Sequence, residues 1–336
     1  MKLLVLGGTR FLGRHVAEQA LAQGHQVTLL HRGLSAPGGG SALFPQAEHR
    51  IADRNGDLQA LQGGTWDACI DTSAYVPRQV RAVATALTGR VGQYQLVSSI
   101  SVYDDAGYNP DAGPNEDSPL VRLADPTVEA VSGETYGGLK VLCEEAAQQA
   151  FGERCLVSRP GLIVGPHDPT GRFTWWPQRL LRGGEVFAPG DPATPVQFID
   201  ARDAAAWMLR QAGSGTNGVF NLVGPNEPLT IGGLLQAARD TLSPSATLRW
   251  VDEAWLLGQG VQPWSDLPVW LPRAQAGMHR TDIRRAMAAG LQTRPMADTL
   301  RDTAAWAHGR NAAAGVGLAP EREAALLQAW AARAAA

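Results

Sequence analysis

The chain is poor in the features that mark several protein classes. Of its 336 residues only three are cysteines, Cys69, Cys143 and Cys155. An odd number without metal-type spacing argues against a disulfide framework and suggests reduced, buried thiols in a cytoplasm-like compartment. The seven histidines show no ligand spacing, so no metal site is expected. No run of about eighteen apolar residues occurs, which argues against a transmembrane span. The strand-like run from Lys2 meets a glycine turn too soon for the apolar segment of a signal peptide. Charge is nearly balanced, 29 Lys and Arg against 32 Asp and Glu, with no basic run able to track a phosphate backbone. Neither nucleic acid nor a membrane surface is therefore an expected partner. No internal repeat is present.

What the sequence does have is alternation. Leu3 to Leu6, Val27 to Leu30, Ala68 to Asp71 and Tyr94 to Val97 read as strands, with helical patterns at Arg14 to Gln23 and Val80 to Leu87. Such alternation predicts an α/β fold, a doubly wound parallel sheet of the Rossmann type with helices on both faces. Leu156 to Val164 reads as one further buried strand, Asp203 to Gln211 as a helix capped by Asp203, and Val219 to Val223 as a strand. A chain this long predicts a smaller second lobe as well. The sheet domain is assigned to 1–165 with 196–223 returning to it, and the lobe to 166–195 and 224–319. Residues 320–336, rich in Ala and Glu, read as a terminal helix on the surface. Loops rich in turn formers are expected from His31 to Pro45 and from Asp104 to Asp125.

Between the first strand and first helix stands Gly7-Gly8-Thr9-Arg10-Phe11-Leu12-Gly13. Glycines there allow a tight turn and a close approach to a pyrophosphate resting on the helix N-terminus. A tight turn without ligand is the alternative. At the end of the second strand, where an acid would accept from a ribose 2′-hydroxyl, stand His31 and Arg32, with Arg10 in the loop nearby. Cations without a carboxylate favour a 2′-phosphate, hence NADP over NAD. Asp53 suits either an adenine amino group or a turn.

Tyr136 and Lys140 share one helix face, four residues apart. An ammonium beside a phenol stabilises the phenolate and draws its pKa toward the working range, giving a proton donor and acceptor for carbonyl and alcohol chemistry. Ser99, in Ser98-Ser99-Ile100-Ser101-Val102-Tyr103, ends a strand at the sheet's carboxyl edge, where it could hold the reacting oxygen or merely cap the strand.

These motifs, with Arg159-Pro160, Gly165-Pro166, Asp282 and Gly290-Leu291, resemble the extended branch of the short-chain dehydrogenase/reductase superfamily, which includes NAD-dependent epimerases and dehydratases. The resemblance covers most of the chain. It implies Ser99, Tyr136 and Lys140 as the catalytic set, with Lys140 also on the nicotinamide ribose. It places Pro160, Gly161 and Ile163 beside the nicotinamide, and Thr72 and Ser73 beside the cofactor's ribose or pyrophosphate. A homodimer through the helix bearing Tyr136 is usual there. The Gly-Gly-Thr-Arg-Phe variant is similar to that of the chloroplast stem-loop RNA-binding proteins and their bacterial relatives. The diphosphate-binding Asn and Arg of nucleotide-sugar enzymes correspond to Leu162 and Val196, and the dehydratase acid pair to Ile100 and Ser101.

Substrate choice falls to the lobe, with His167, Arg172, Trp175, Trp176 and Gln197 as candidates, then Trp264 and Trp270. The tryptophans suggest an apolar or aromatic small-molecule surface, or a packing face. Arg172 could pair a carboxylate or phosphate, or serve a salt bridge. The expectation is an NAD(P)-dependent oxidoreductase acting on a carbonyl or alcohol carbon. The alternatives are a sugar or nucleotide-sugar epimerase and a non-catalytic cofactor-dependent or RNA-binding protein.

Overall fold

The computed structural model describes residues 1–34, 42–104, 112–243, 245–311 and 313–334. Parts of the two expected loops, 35–41 and 105–111, lie outside the described residues, as do Ala335 and Ala336 of the expected tail helix.

The first half runs β1 (Lys2–Leu6), α1 (Phe11–Ala22), β2 (Gln26–His31), β3 (Glu48–Ile51), β4 (Trp66–Asp71), α2 (Pro77–Ala86), β5 (Val91–Val97), α3 (Tyr136–Phe151) and β6 (Cys155–Pro160). It continues with β7 (Ile163–Val164), α4 (Trp175–Leu181), β8 (Glu185–Pro189), β9 (Ile199–Asp200), α5 (Ala201–Gln211) and β10 (Gly218–Leu222). The remainder is α6 (Ile231–Leu242), β11 (Thr247–Val251), α7 (Glu253–Gly258), α8 (Arg284–Ala288), α9 (Met296–Ala307) and α10 (Pro320–Ala334). No helix among the described residues is long and apolar enough to cross a membrane.

The main sheet has seven parallel strands in the order β10-β6-β5-β4-β1-β2-β3. Leu3 to Leu6 are each no more than 1% exposed, as a central strand covered on both faces requires. Leu3 pairs with Val27 on one side and Ala68 on the other. The chain thus leaves β1 toward β2 and β3, then returns to β4 on the opposite side. That reversal opens a crevice beyond the carboxyl ends of β1 and β4, the place where open α/β sheets bind ligands. One apolar core packs α1 and α5 on one face of the sheet, and a second packs the opposite face with Cys143, Ala147 and Phe151 of α3.

The second lobe has its own core, in which Phe173, Trp176, Phe187 and Trp270 are wholly buried. Three departures from the sequence reading have simple causes. The strand expected from Leu156 to Val164 breaks after Pro160, and Ile163–Val164 pairs instead with Ile199–Asp200. Helix α5 is capped by Asp200, whose side chain accepts from Arg202 N, while Asp203 sits in its first turn and pairs with Arg294 at 2.8 Å. Ala286 and Leu291, assigned to the lobe, pack into the core beneath the sheet.

The terminal helix is not a bare surface element. Glu323 is 3% exposed and ion-pairs at 2.5 Å with Arg179, itself buried on α4, and Leu326 joins the lobe core. Glu323 Oε1 also accepts from Phe187 N at 3.3 Å, so one carboxylate joins α10, α4 and β8. Removing one member of such a pair leaves an uncompensated buried charge. Glu323→Ala is therefore expected to lower unfolding free energy by about 3 kcal/mol in urea. A change below about 1 kcal/mol, the scale of an exposed pair, would contradict this reading.

Candidate active site

The glycine turn is built by exclusion. Gly7 has φ +88°, and a Cβ there would stand 2.7 Å from Thr72 Oγ1. A Cβ on Gly13 would stand 2.4 Å from the Gly7 carbonyl oxygen. Any side chain at either position pushes the turn away from β4 or α1 away from the turn. Arg10 is the N-cap of α1 but makes no side-chain cap, so among the described residues no cap side chain takes up the first helical N–H groups. Phe11 holds φ +37°, uncommon for a residue with a Cβ and typical of sites where the surroundings fix the backbone. Thr9 and Leu12 are buried and support the turn from behind. The cradle fits a dinucleotide pyrophosphate: a tight turn, helical N–H groups that the Arg10 side chain leaves uncapped and no Cβ between them.

The wall opposite the turn rests on a charge pair that sequence reasoning passed over. Arg54 donates to both carboxylate oxygens of Asp71, at 2.7 and 2.8 Å, and to Ser73 Oγ at 2.9 Å. Tyr94 Oη donates to Asp71 Oδ2 at 2.7 Å. Asp71 is wholly buried, yet Arg54, Tyr94 and the Ser73 N–H hold its carboxyl below the usual carboxylate range. The signal was an Asp directly after the apolar run Ala68 to Ile70 of a central strand, which requires a partner. Its neighbour Asp53 is exposed and accepts from Asn55 N at 2.9 Å, the turn role rather than a clear ligand contact.

The 2′-phosphate reading needs one correction. His31 is buried; its Nδ1 accepts from Gly33 N at 3.0 Å, so Nε2 carries the hydrogen and donates to His49 Nδ1 at 2.8 Å. His49 Nε2 in turn faces Phe44 O at 2.8 Å. Both rings are satisfied as neutral groups, and burial with a neighbouring imidazole pushes the His31 pKa down. His31 shapes the loop and offers no cation. Arg10 and Arg32 are both exposed and form no ion pair among the described residues.

Ser99, Tyr136 and Lys140 meet at the carboxyl edge of β5. Ser99 Oγ accepts from Ser101 N at 3.1 Å, capping a turn over Ile100–Val102, and donates to Ser101 Oγ at 3.1 Å. Helix α3 reaches this close because residue 137 is glycine: a Cβ there would lie 2.1 Å from Ser101 O. Lys140 is buried and donates to Ala74 O at 2.7 Å and Val97 O at 2.6 Å, with its ammonium 5.7 Å above the Tyr75 ring. Tyr75 in turn lies 6.5 Å from the Tyr136 ring. Burial raises the Tyr136 pKa above its ordinary value, while Ser99 and Arg172 favour its phenolate. Beside them, Gly161 leaves room between Val223 and Ile100, following Pro160 at the end of β6, while Ile163 lies in β7.

The lobe candidates divide. Trp176 is wholly buried and donates to Pro268 O at 2.6 Å; Trp175 is 4% exposed and packs on Trp176; Trp270 is wholly buried. All three fill the lobe core and present no ligand surface. His167 packs between His15 of α1 and Trp306 of α9, and burial takes its pKa down to about 4, which places it against those helices rather than as a substrate contact. Gln197 donates from Nε2 to Thr281 O at 3.1 Å, and its N–H donates to His279 Nδ1 at 3.0 Å, so it braces the lobe. Arg172 remains: partly buried, its guanidinium 5.3 Å above the Trp264 ring and near enough to Tyr136 to act on it.

This sheet order, with a glycine turn at the switch point, is a Rossmann-like fold shared with solved epimerases. Solved structures with this fold include UDP-glucuronic acid 4-epimerase from Bacillus cereus with NAD, at TM-score 0.64 and 17% identity over 91% of this chain and 96% of that one. UDP-glucose 4-epimerase from Thermotoga maritima has TM-score 0.64 and 18% identity over 91% and 98%. A human epimerase family protein with NADPH has TM-score 0.61 and 21% identity over 91% and 99%. The chain is also similar to the chloroplast stem-loop binding protein of 41 kDa b of Arabidopsis thaliana, 27% identical over 250 residues. That match takes in 70% of this chain and 62% of the relative's length. No protein-family model matches the chain.

Two outcomes follow from the geometry. Arg54→Ala is expected to cost about 3 kcal/mol at neutral pH, because the Asp71 charge loses its partner. The lowered Asp71 pKa contributes stability above the unfolded value near ~3.9 that is lost as pH falls. In the variant, burial raises that pKa, so the deficit should narrow as unfolding is repeated toward acid; a gap independent of pH would contradict the assignment. Gly137→Ala must displace α3 or the Ser99 turn, and should cost about 1–3 kcal/mol as an overpacked contact does. A variant as stable as the parent would refute the close approach.

Proposed function

We propose that the chain is an NAD(P)-dependent oxidoreductase of the extended short-chain dehydrogenase/reductase type, acting on a carbonyl or alcohol carbon. The observation that carries this reading is the close approach of the helix bearing Tyr136 and Lys140 to the turn that holds Ser99, one short segment away from the glycine cradle. That segment faces Gly7 through Thr72 and Ser73 and accepts from Lys140 through Ala74 O. Gly7, Gly13 and the start of α1 would hold the pyrophosphate, Lys140 and Tyr75 would border the nicotinamide ribose, and Gly161 would admit the nicotinamide. When bound, the reduced nicotinamide supplies a hydride to the substrate carbon.

The protein's own groups manage the oxygen. A Tyr136 pKa above the ordinary value keeps the phenol protonated at neutral pH, which suits donation to an oxygen gaining negative charge. The Ser99 hydroxyl donates to the same oxygen and holds it in place. Oxidation of an alcohol reverses the transfer, with Ser99 and Arg172 favouring the phenolate that takes the proton. Arg10 and Arg32, exposed and unpaired among the described residues, favour NADP over NAD.

An epimerase acting on a nucleotide sugar is the second reading, supported by the similar structures of UDP-glucuronic acid and UDP-glucose 4-epimerases. Leu162 and Val196, at the positions of the diphosphate anchors, are 6% and 1% exposed within the lobe core and count against it. A stem-loop-binding role, suggested by the name of the Arabidopsis relative, has little electrostatic support from a net charge of −3.

The test is nicotinamide-dependent turnover of a panel of small carbonyls and alcohols. Tyr136→Phe should lower it roughly 10²–10⁴-fold, the usual worth of a general acid, with cofactor binding unchanged. Turnover that survives the substitution would sink the proposal. Arg32→Ala should erase a preference for NADPH over NADH of about tenfold, or 1.4 kcal/mol. An unchanged ratio would remove Arg32 from the cofactor site.

A further inference from the structure

Arg172 is a partly buried cation of the site that meets its one acidic influence, Asp168, only through Thr170 among the described residues. It follows Gly171, held at φ +69°, and ends a turn whose first residue, Asp168, is 2% exposed. Asp168 Oδ1 accepts from Thr170 N and Oγ1, both at 2.8 Å, and Thr170 Oγ1 accepts from Arg172 Nε at 3.3 Å. The guanidinium lies against the face of Trp264, whose own backbone holds φ +66°. A strand of chain locks both sides of this arrangement. Ala313 packs so tightly on Gly171 that a Cβ there would stand 2.6 Å away, and Gly317 N donates to Ser265 O at 2.7 Å. Among the described residues no carboxylate lies within ion-pair distance of Arg172, although eighteen arginine–carboxylate pairs occur elsewhere among them. Partial burial of a positive charge without a direct ion pair is unfavourable for folding alone, which marks a position kept for something the folded chain does not contain.

We propose that Arg172 recognises the substrate's acid group, and that the substrate is a hydroxy or oxo monocarboxylate. Its carboxylate rests on the Arg172 guanidinium over Trp264 while its alcohol or carbonyl carbon lies at Tyr136. This rests on the oxidoreductase reading above and adds the substrate class to it. A single negative charge fits better than a phosphate dianion, because Asp168 already offsets part of the Arg172 charge. Arg172 is also the one cation among the principal influences on Tyr136, so a carboxylate bound there would offset its pull on the phenol and favour the protonated state. A guanidinium held in a fixed plane presents two parallel N–H donors to a carboxylate, a geometry a neutral amide cannot match.

The test is binding of lactate, gluconate and mandelate, each against its neutral amide, followed by saturation-transfer NMR without and with NADPH. At least one acid should bind about tenfold tighter than its amide, a margin of about 1.4 kcal/mol. The margin should persist in Tyr136→Phe, vanish in Arg172→Gln and survive in part in Arg172→Lys. Circular dichroism checks that the variants fold; if the Gln variant does not, the wild-type margin and the Lys variant decide. No margin in the wild type overturns the proposal, as does a margin that survives Arg172→Gln. Inorganic phosphate that competes at lower concentration than the acids would overturn the choice of a monocarboxylate. An acid that binds through Arg172 but is never turned over with NADP leaves the anion site standing and removes the oxidoreductase reading.

Discussion

One buried ammonium holds the site together. Lys140 donates to Ala74 O, just beyond β4, and to Val97 O, at the end of β5, while its own helix carries Tyr136 one turn earlier. Three elements that would otherwise splay at the sheet's carboxyl edge are tied at a point where a charge is costly unless its donors are used. From that knot the other positions follow. Ala74 fixes the segment whose Thr72 and Ser73 back the glycine turn, and Val97 fixes the strand end that delivers Ser99. The cradle and the hydroxyl pair are therefore one rigid construction rather than two neighbouring sites.

Around the knot, each close approach is made possible by the absence of a side chain. Gly7 admits Thr72, Gly13 admits the Gly7 carbonyl, and Gly137 admits Ser101 O. Charge is treated with the same economy: Asp71 is matched by Arg54, Glu144 by Arg159 at 2.7 Å, and Glu323 by Arg179. Arg172 stands out against this background because its nearest acid, Asp168, is already engaged by Thr170.

The parallel sheet was legible because strands buried on both faces are unbroken apolar runs, as Leu3 to Leu6 shows, and because the glycine turn follows the first of them. Ser99, Tyr136 and Lys140 could be named from spacing, since four residues on a helix define one face. What spacing could not give was direction. Lys140 donates to two carbonyls, which spacing does not reveal, and His31 turns inward to His49 instead of outward to a phosphate. Tryptophan was misleading for a related reason: Trp175, Trp176 and Trp270 bury large apolar surfaces in the lobe core, and a linear sequence does not say which side of a wall a residue faces. Arg54 was missed because the partner that gives it meaning, Asp71, is seventeen residues away at the end of β4.

The central claim is that the glycine turn and the hydroxyl pair serve a nicotinamide dinucleotide. Calorimetric titration of the purified protein, freed of any copurifying cofactor, with NADPH and with NADH tests it most directly. The account predicts saturable binding of one dinucleotide per chain for at least one of the two. Failure of both to bind, in protein shown to be folded and free of cofactor, would contradict it.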